Sequence, residues 1–221
     1  MTDYDWEPWL REWSRTLLER VAPSSPDTYP DEDLTPEIMT SRWLGAPGAG
    51  EPQLAALEAR LGITLPPSYR SFLRASNGFL QPGILVPRLL PAEEVDWFRS
   101  AHQGVIDAWH VGTTLGLGKA ASDPEAFEHY LPTALQVSDM ERAGTAVYLL
   151  NPKVVDASGE WEAFYFAHWI PGVNRYPSFR ALMEDERTSW ARAEPALDPL
   201  ASRPSPARAY WETLKEIFRG R

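Results

Sequence analysis

Cysteine is absent from the 221-residue chain. That removes disulfides, a thiolate nucleophile and any Cys-ligated metal, and it fits a reducing compartment. Histidine is scarce. His102, His110, His129 and His168 include no pair at the i, i+4 spacing of a helical zinc motif. No apolar run reaches the length of a membrane span, and the opening MTDYDWEPWLREW has neither the basic nor the apolar region of a secretory signal. A cytoplasmic location is the expectation. The G-x-S-x-G elbow of serine hydrolases is missing as well. The one stretch that looks like a phosphate loop, Gly112 to Ser122, has Thr113 where the first glycine is needed and Ala120 where the magnesium-binding hydroxyl should stand. No catalytic, cofactor-binding or metal-binding residue is expected. Positive charge is also in short supply: 21 Lys and Arg face 31 Asp and Glu, for a net charge of −10. Such a chain repels phosphate backbones and attracts basic partners, so nucleic acid and membrane are not expected as partners.

What is present is helical and extended pattern in alternation. Trp6, Trp9, Leu10, Trp13, Leu17 and Val21 recur at three and four residues and predict an amphipathic helix over 4–21. Prolines and small polar residues from Ala22 to Pro36 then predict a loop, acidic throughout, with five acids and no base between Asp27 and Glu37. In EPQLAALEARLG, Leu54, Leu57 and Leu61 form an apolar stripe, Pro52 suits the first turn, and Gly62 stands where a left-handed residue closes a helix. An extended tether follows, because a residue before proline avoids the helical region. Tyr69, Phe72 and Leu73 share the face of a second helix opened by Pro67, and Asn77-Gly78 ends it through tolerance of positive φ.

Further on, Ile84 to Leu90 reads as a strand limited by Pro87, and Pro91 reads as a helix start with Glu93 and Glu94 in its first turn. Residues 111–130 read as a long loop. ALQVSD, TAVYLLNP and the run from Trp161 read as an antiparallel meander, with turn chemistry from Asp156 to Gly159 and with Trp161, Ala163, Tyr165, Ala167 and Trp169 on one face. Phe179, Leu182, Met183, Glu186 and Trp190 space out a helix behind Pro177, and a last amphipathic helix follows near the C-terminus. No internal repeat is present.

The pairs Leu61-Gly62, Leu65-Pro66, Tyr69, Phe72-Leu73 and Asn77-Gly78, followed by a meander and by a helix opening Ser178-Phe179 with Leu182, resemble the SUKH superfamily, also called Smi1/Knr4-like. The resemblance covers about residues 41–187. It implies an α+β domain with an antiparallel sheet flanked by helices, with an N-terminal helix and acidic loop (1–40) and a C-terminal helical extension (188–221) outside it. It implies no enzymatic activity. Bacterial members of that family act as immunity proteins that bind polymorphic toxins, often nucleases, and fungal members act as regulatory scaffolds.

The first expectation is therefore a bacterial immunity protein whose partner is a basic toxin domain. Candidate contacts, chosen by charge, are Asp27, Asp31, Glu32 and Asp33 on the acidic arm and Glu93, Glu94 and Asp96 near the next helix, with Trp97 and Phe98 as an apolar alternative. The second expectation is a scaffold docking through its terminal helices. An acid–base hydrolase using Glu160 or Glu162 ranks last, since nothing but aromatic content speaks for it.

Overall fold

Trp6, Leu10, Trp13 and Leu17 do lie on one helix, α1 (Trp6–Val21), and all four are buried. The computed structural model describes residues 4–21, 35–83, 86–114, 126–140, 146–167 and 172–192. A one-and-a-half-turn helix, α2 (Pro36–Ser41), begins where the loop was expected to end, with the Thr35 hydroxyl accepting from Ile38 N at 3.3 Å. Helix α3 (Glu51–Leu61) buries Leu54, Leu57 and Leu61 and closes at Gly62, whose φ of 68° is the left-handed value that favours glycine. The chain then runs extended to Pro66 and turns into α4 (Pro67–Ala75). Two carboxylates fix this corner. Glu58 accepts from Leu65 N at 2.9 Å, and Glu160 accepts from Ser68 N at 2.8 Å and Ser68 Oγ at 2.7 Å, supplying the first turn of α4 with an anion from a distant hairpin.

Strands β1 (Phe79–Leu80) and β2 (Arg88–Leu89) make a small antiparallel ribbon. Of the strand expected over 84–90, Ile84 and Leu85 lie outside the described residues, and among the rest Arg88–Leu89 is strand. Pro87 has no N–H to give a ladder, and its carbonyl instead accepts from Gln81 N at 2.6 Å. The main sheet has five antiparallel strands in chain order: β3 (Asp96–Trp97), β4 (Leu135–Gln136), β5 (Ala146–Val155), β6 (Trp161–Ala167) and β7 (Val173–Tyr176). The β5–β6 turn is the one read from Asp156 to Gly159, closed by Gly159 N donating to Asp156 O at 3.1 Å. The class is α+β, with an antiparallel sheet flanked by helices.

The central strands are buried on both sides, so their alternation sorts residues between two cores rather than between core and water. Tyr148, Leu150, Trp161, Ala163 and Ala167 face a first core that also takes in α1, α3, α4 and α6 (Phe179–Arg192). Val147, Leu149, Phe164 and Phe166 face a second, covered by α5 (Phe98–Thr114) and two 3-10 turns, Phe127–His129 and Leu131–Thr133. Of the loop expected over 111–130, residues 115–125 lie outside the described residues; what is described is partly regular, with α5 running to Thr114 and the 3-10 turn at Phe127–His129 setting Phe127 into that second core. Trp169 and the last amphipathic helix lie outside the described residues.

Leu61, Leu65, Tyr69, Phe72, Leu73, Phe179 and Leu182 all belong to the first core. So does α1. Trp6 donates through Nε1 to Ser68 O and to Ser71 Oγ, both at 3.0 Å, and Ser14 Oγ accepts from Leu44 N at 3.2 Å. The apolar stripe of α1 is covered by the domain.

Candidate partner-binding surface

The segment Pro91–Val95 is a turn, not the helix start expected at Pro91. Two side chains from elsewhere decide this. Arg60, in the last turn of α3, donates through Nη2 to Ala92 O at 3.0 Å and Val95 O at 2.8 Å. Asn77, just past α4, accepts from Ala92 N at 2.7 Å through Oδ1. Carbonyls that a helix would need for its own i+4 amides are already taken, and Asp96–Trp97 pairs instead with Leu135–Gln136. The helix begins only at Phe98, so Glu93, Glu94 and Asp96 precede it rather than open it.

Asn77 has a second task. Its Nδ2 donates to Glu93 Oε2 at 3.0 Å, while Gln53 Nε2 donates to Glu93 Oε1 at 2.8 Å. Both carboxylate oxygens are held by neutral amides. These bonds, that from Asn77 first, with a smaller attraction from Arg60, keep the Glu93 carboxyl below its ordinary range, so it is ionised and fixed in place without a direct ion pair. Glu94 differs. It bonds to Arg88 at 2.7 Å, and Arg88 also reaches Asp139 at 3.3 Å, so one cation serves two anions. Asp96 Oδ1 accepts from Trp97 N at 2.7 Å.

Of the residues chosen by charge, the structure gathers Glu93, Glu94 and Asp96 with Trp97 at one end of the sheet, on the outer strand β3 and the turn before it. Asp27, Asp31, Glu32 and Asp33 lie outside the described residues. The apolar alternative loses half its basis: Phe98 is fully buried in the second core, and Trp97 is half-buried against the first. Gln53, Arg60, Arg88 and Asp139 were not picked out from the sequence, because nothing local marks a residue that clamps a turn 30 or 40 positions away. Asn77 was picked out for the wrong reason. Only Gly78, at φ 101°, takes the left-handed conformation, while Asn77 acts through its side chain.

Replacing Asn77 by Ala strands the Ala92 N–H and releases Glu93 at once. Urea unfolding should show a loss of about 1–2 kcal/mol, while Asn77→Asp, which keeps an acceptor for Ala92 N but sets a second carboxylate beside Glu93, should lift the Glu93 titration midpoint. An Asn77→Ala variant as stable as the parent would show the clamp to be idle.

The two carboxylates weighed for hydrolysis are otherwise engaged. Glu160 serves Ser68, and Glu162 accepts from Asn151 Nδ2 at 3.0 Å and from Arg175. Among the described residues no group of three or more His, Asp or Glu could hold a metal ion, and no helix is long and apolar enough to cross a membrane.

No curated protein matches the chain. A model of the SMI1 / KNR4 family (SUKH-1) matches residues 48–185, more than half of the chain, and the chain belongs to that family.

Proposed function

We propose, from membership of this family and from the clamped turn at Glu93, that the chain works by binding another protein and not by catalysis, and that it neutralises a toxin with a basic binding face. The observation that carries the acidic part of this reading is the pair of amides on Glu93. A carboxylate paired with a cation offers little field, whereas one held by Asn77 and Gln53 keeps its charge and gives up its rotamer freedom before any partner arrives. Asp96 adds a second negative charge three residues on. The net charge of −10 extends the same field over the chain and steers a cationic domain toward it.

The test is association kinetics with the product of the neighbouring gene. Charges on two surfaces are screened over ~8 Å at physiological ionic strength, so raising salt from 50 to 500 mM should slow association by about tenfold and leave dissociation nearly unchanged. The double substitution Glu93→Gln with Asp96→Asn should lower the on-rate at low salt, and Asp31, Glu32 and Asp33 neutralised together should do the same if the arm takes part. Binding that ignores both salt and substitutions would end the acidic reading. A partner that proves to be a housekeeping protein rather than a toxin would favour the scaffold reading.

A further inference from the structure

Glu186 sits on the apolar face of α6, only 8% exposed, where the sequence pattern calls for a hydrophobe. Its carboxylate and the hydroxyl of Tyr148 converge on Gly83. A Cβ at that glycine would stand 2.1 Å from Tyr148 Oη and 2.4 Å from Glu186 Oε2, closer than any side chain tolerates. A side chain here would have to displace one of the two tips, so the 81–83 segment is laid directly over two buried polar groups. The segment is secured by Gln81, which donates through N to Pro87 O at 2.6 Å and through Nε2 to Gly83 O at 2.7 Å.

The titratable groups around Glu186 come from every layer packed against it. Tyr148 on β5 is fully buried and makes no well-formed hydrogen bond, Tyr165 lies 5.9 Å from Tyr148 between ring centroids, and Tyr176 on β7 donates to Asp185 at 2.9 Å. Asp185 is the acidic neighbour on α6. In this set only the Tyr148 hydroxyl favours a charge on Glu186, and burial outweighs it.

We propose that Glu186 is a proton-operated latch: as the neutral acid it lets the 81–83 segment seat over the sheet, and as the carboxylate it drives that segment off to admit water. The reading is independent of the partner reading. Burial, foremost, together with Asp185 pushes the Glu186 carboxyl up to about 7 from an ordinary 4.5, with Tyr148 offsetting this only in part. The folded chain therefore holds a proton that the unfolded chain has released between those two values. Stability falls as pH rises from about 4.5 to about 7 and is level beyond, the charged group being penalised throughout the alkaline side. The least costly relief is local, since the 81–83 segment is three residues long, Gln81, a buried Pro82 and Gly83, and is held by the two bonds that Gln81 donates.

The experiment is amide hydrogen exchange at Leu80, Gln81 and Arg88 on the full chain at pH 5.5 and pH 8.5, corrected for intrinsic rates, in the parent and in Glu186→Gln. The parent should lose at least about tenfold in protection at Gln81 on the alkaline side, and Glu186→Gln should stay level. An equal loss in both proteins, or none in the parent, overturns the latch. Should the Gln variant fail to fold, the side-chain carboxyl of Glu186 can be titrated by NMR in the parent. A midpoint near 7 that coincides with the exchange change supports the latch, and a midpoint below 5 overturns it.

Discussion

Trp6→Ala should cost about 3–5 kcal/mol of unfolding free energy, as large a loss as any substitution inside the span matched by the family, although Trp6 lies more than forty residues before that span begins. The indole is 1% exposed. Its ring meets Phe72 at 5.7 Å and Phe179 at 5.6 Å between centroids, so it closes the same aromatic cluster that α4 and α6 build. Its Nε1 also satisfies Ser68 O and Ser71 Oγ near the start of α4. Removing it opens a cavity and takes the indole donor from Ser68 O and Ser71 Oγ, which still bond to each other at 3.0 Å, so the cavity makes up most of the loss. Trp6→Phe keeps most of the ring and loses the hydrogen bonds, so it should fall between, at about 1–3 kcal/mol. Far- and near-UV circular dichroism should show one coincident transition in each variant. If Trp6→Ala instead melts α1 in a separate early step with the main transition unmoved, α1 is an appendage and not part of the cooperative unit.

What is legible in the sequence is local. The stripe of Leu54, Leu57 and Leu61, the closing Gly62, the tether before Pro67 and the turn from Asp156 to Gly159 are each set by residues within one or two turns of themselves. The features that went unread are set at a distance. Pro91 is a reasonable helix start on local grounds, and it fails because Arg60 and Asn77 take the backbone groups of the following turn. Phe164 and Phe166 lie on the polar face of a one-sided sheet pattern, and only α5 and the 3-10 turns around Phe127 and Leu131 give them a core to fill. Glu186 shows both sides at once. Its place in the apolar spacing of α6 was legible, while the glycine that rests on it, about a hundred residues earlier, was not. The candidate surface divides in the same way: the acids of the 93–96 stretch were visible as composition, but which is held by an amide and which is paired with a guanidinium is set by the fold.

The two parts of the family signature should prove energetically coupled. Phe72 belongs to the first, Phe179 to the second, and 107 positions separate them in sequence. In the fold their ring centroids are 5.2 Å apart, and Tyr69 meets Phe179 edge-on at 5.0 Å. All three side chains are fully buried. Each of Phe72→Ala and Phe179→Ala should therefore cost about 3–5 kcal/mol by itself, since each leaves a ring-sized cavity. The double variant should cost less than the two losses added together, because the second truncation removes contacts the first has already broken. The shortfall should be about 0.5–1.5 kcal/mol, the range expected for an aromatic pair in contact. To keep the double variant folded enough to measure, the cycle can be run with Leu in place of Ala, which shrinks every figure and preserves the sign. Strict additivity would mean that the two rings share a core without acting on one another, and the signature would then record two separate requirements. A shortfall would mean that the closing helix and α4 stabilise one another through these rings, which ties the stretch from Ser178 to Leu182 to that from Tyr69 to Leu73 in one cooperative core.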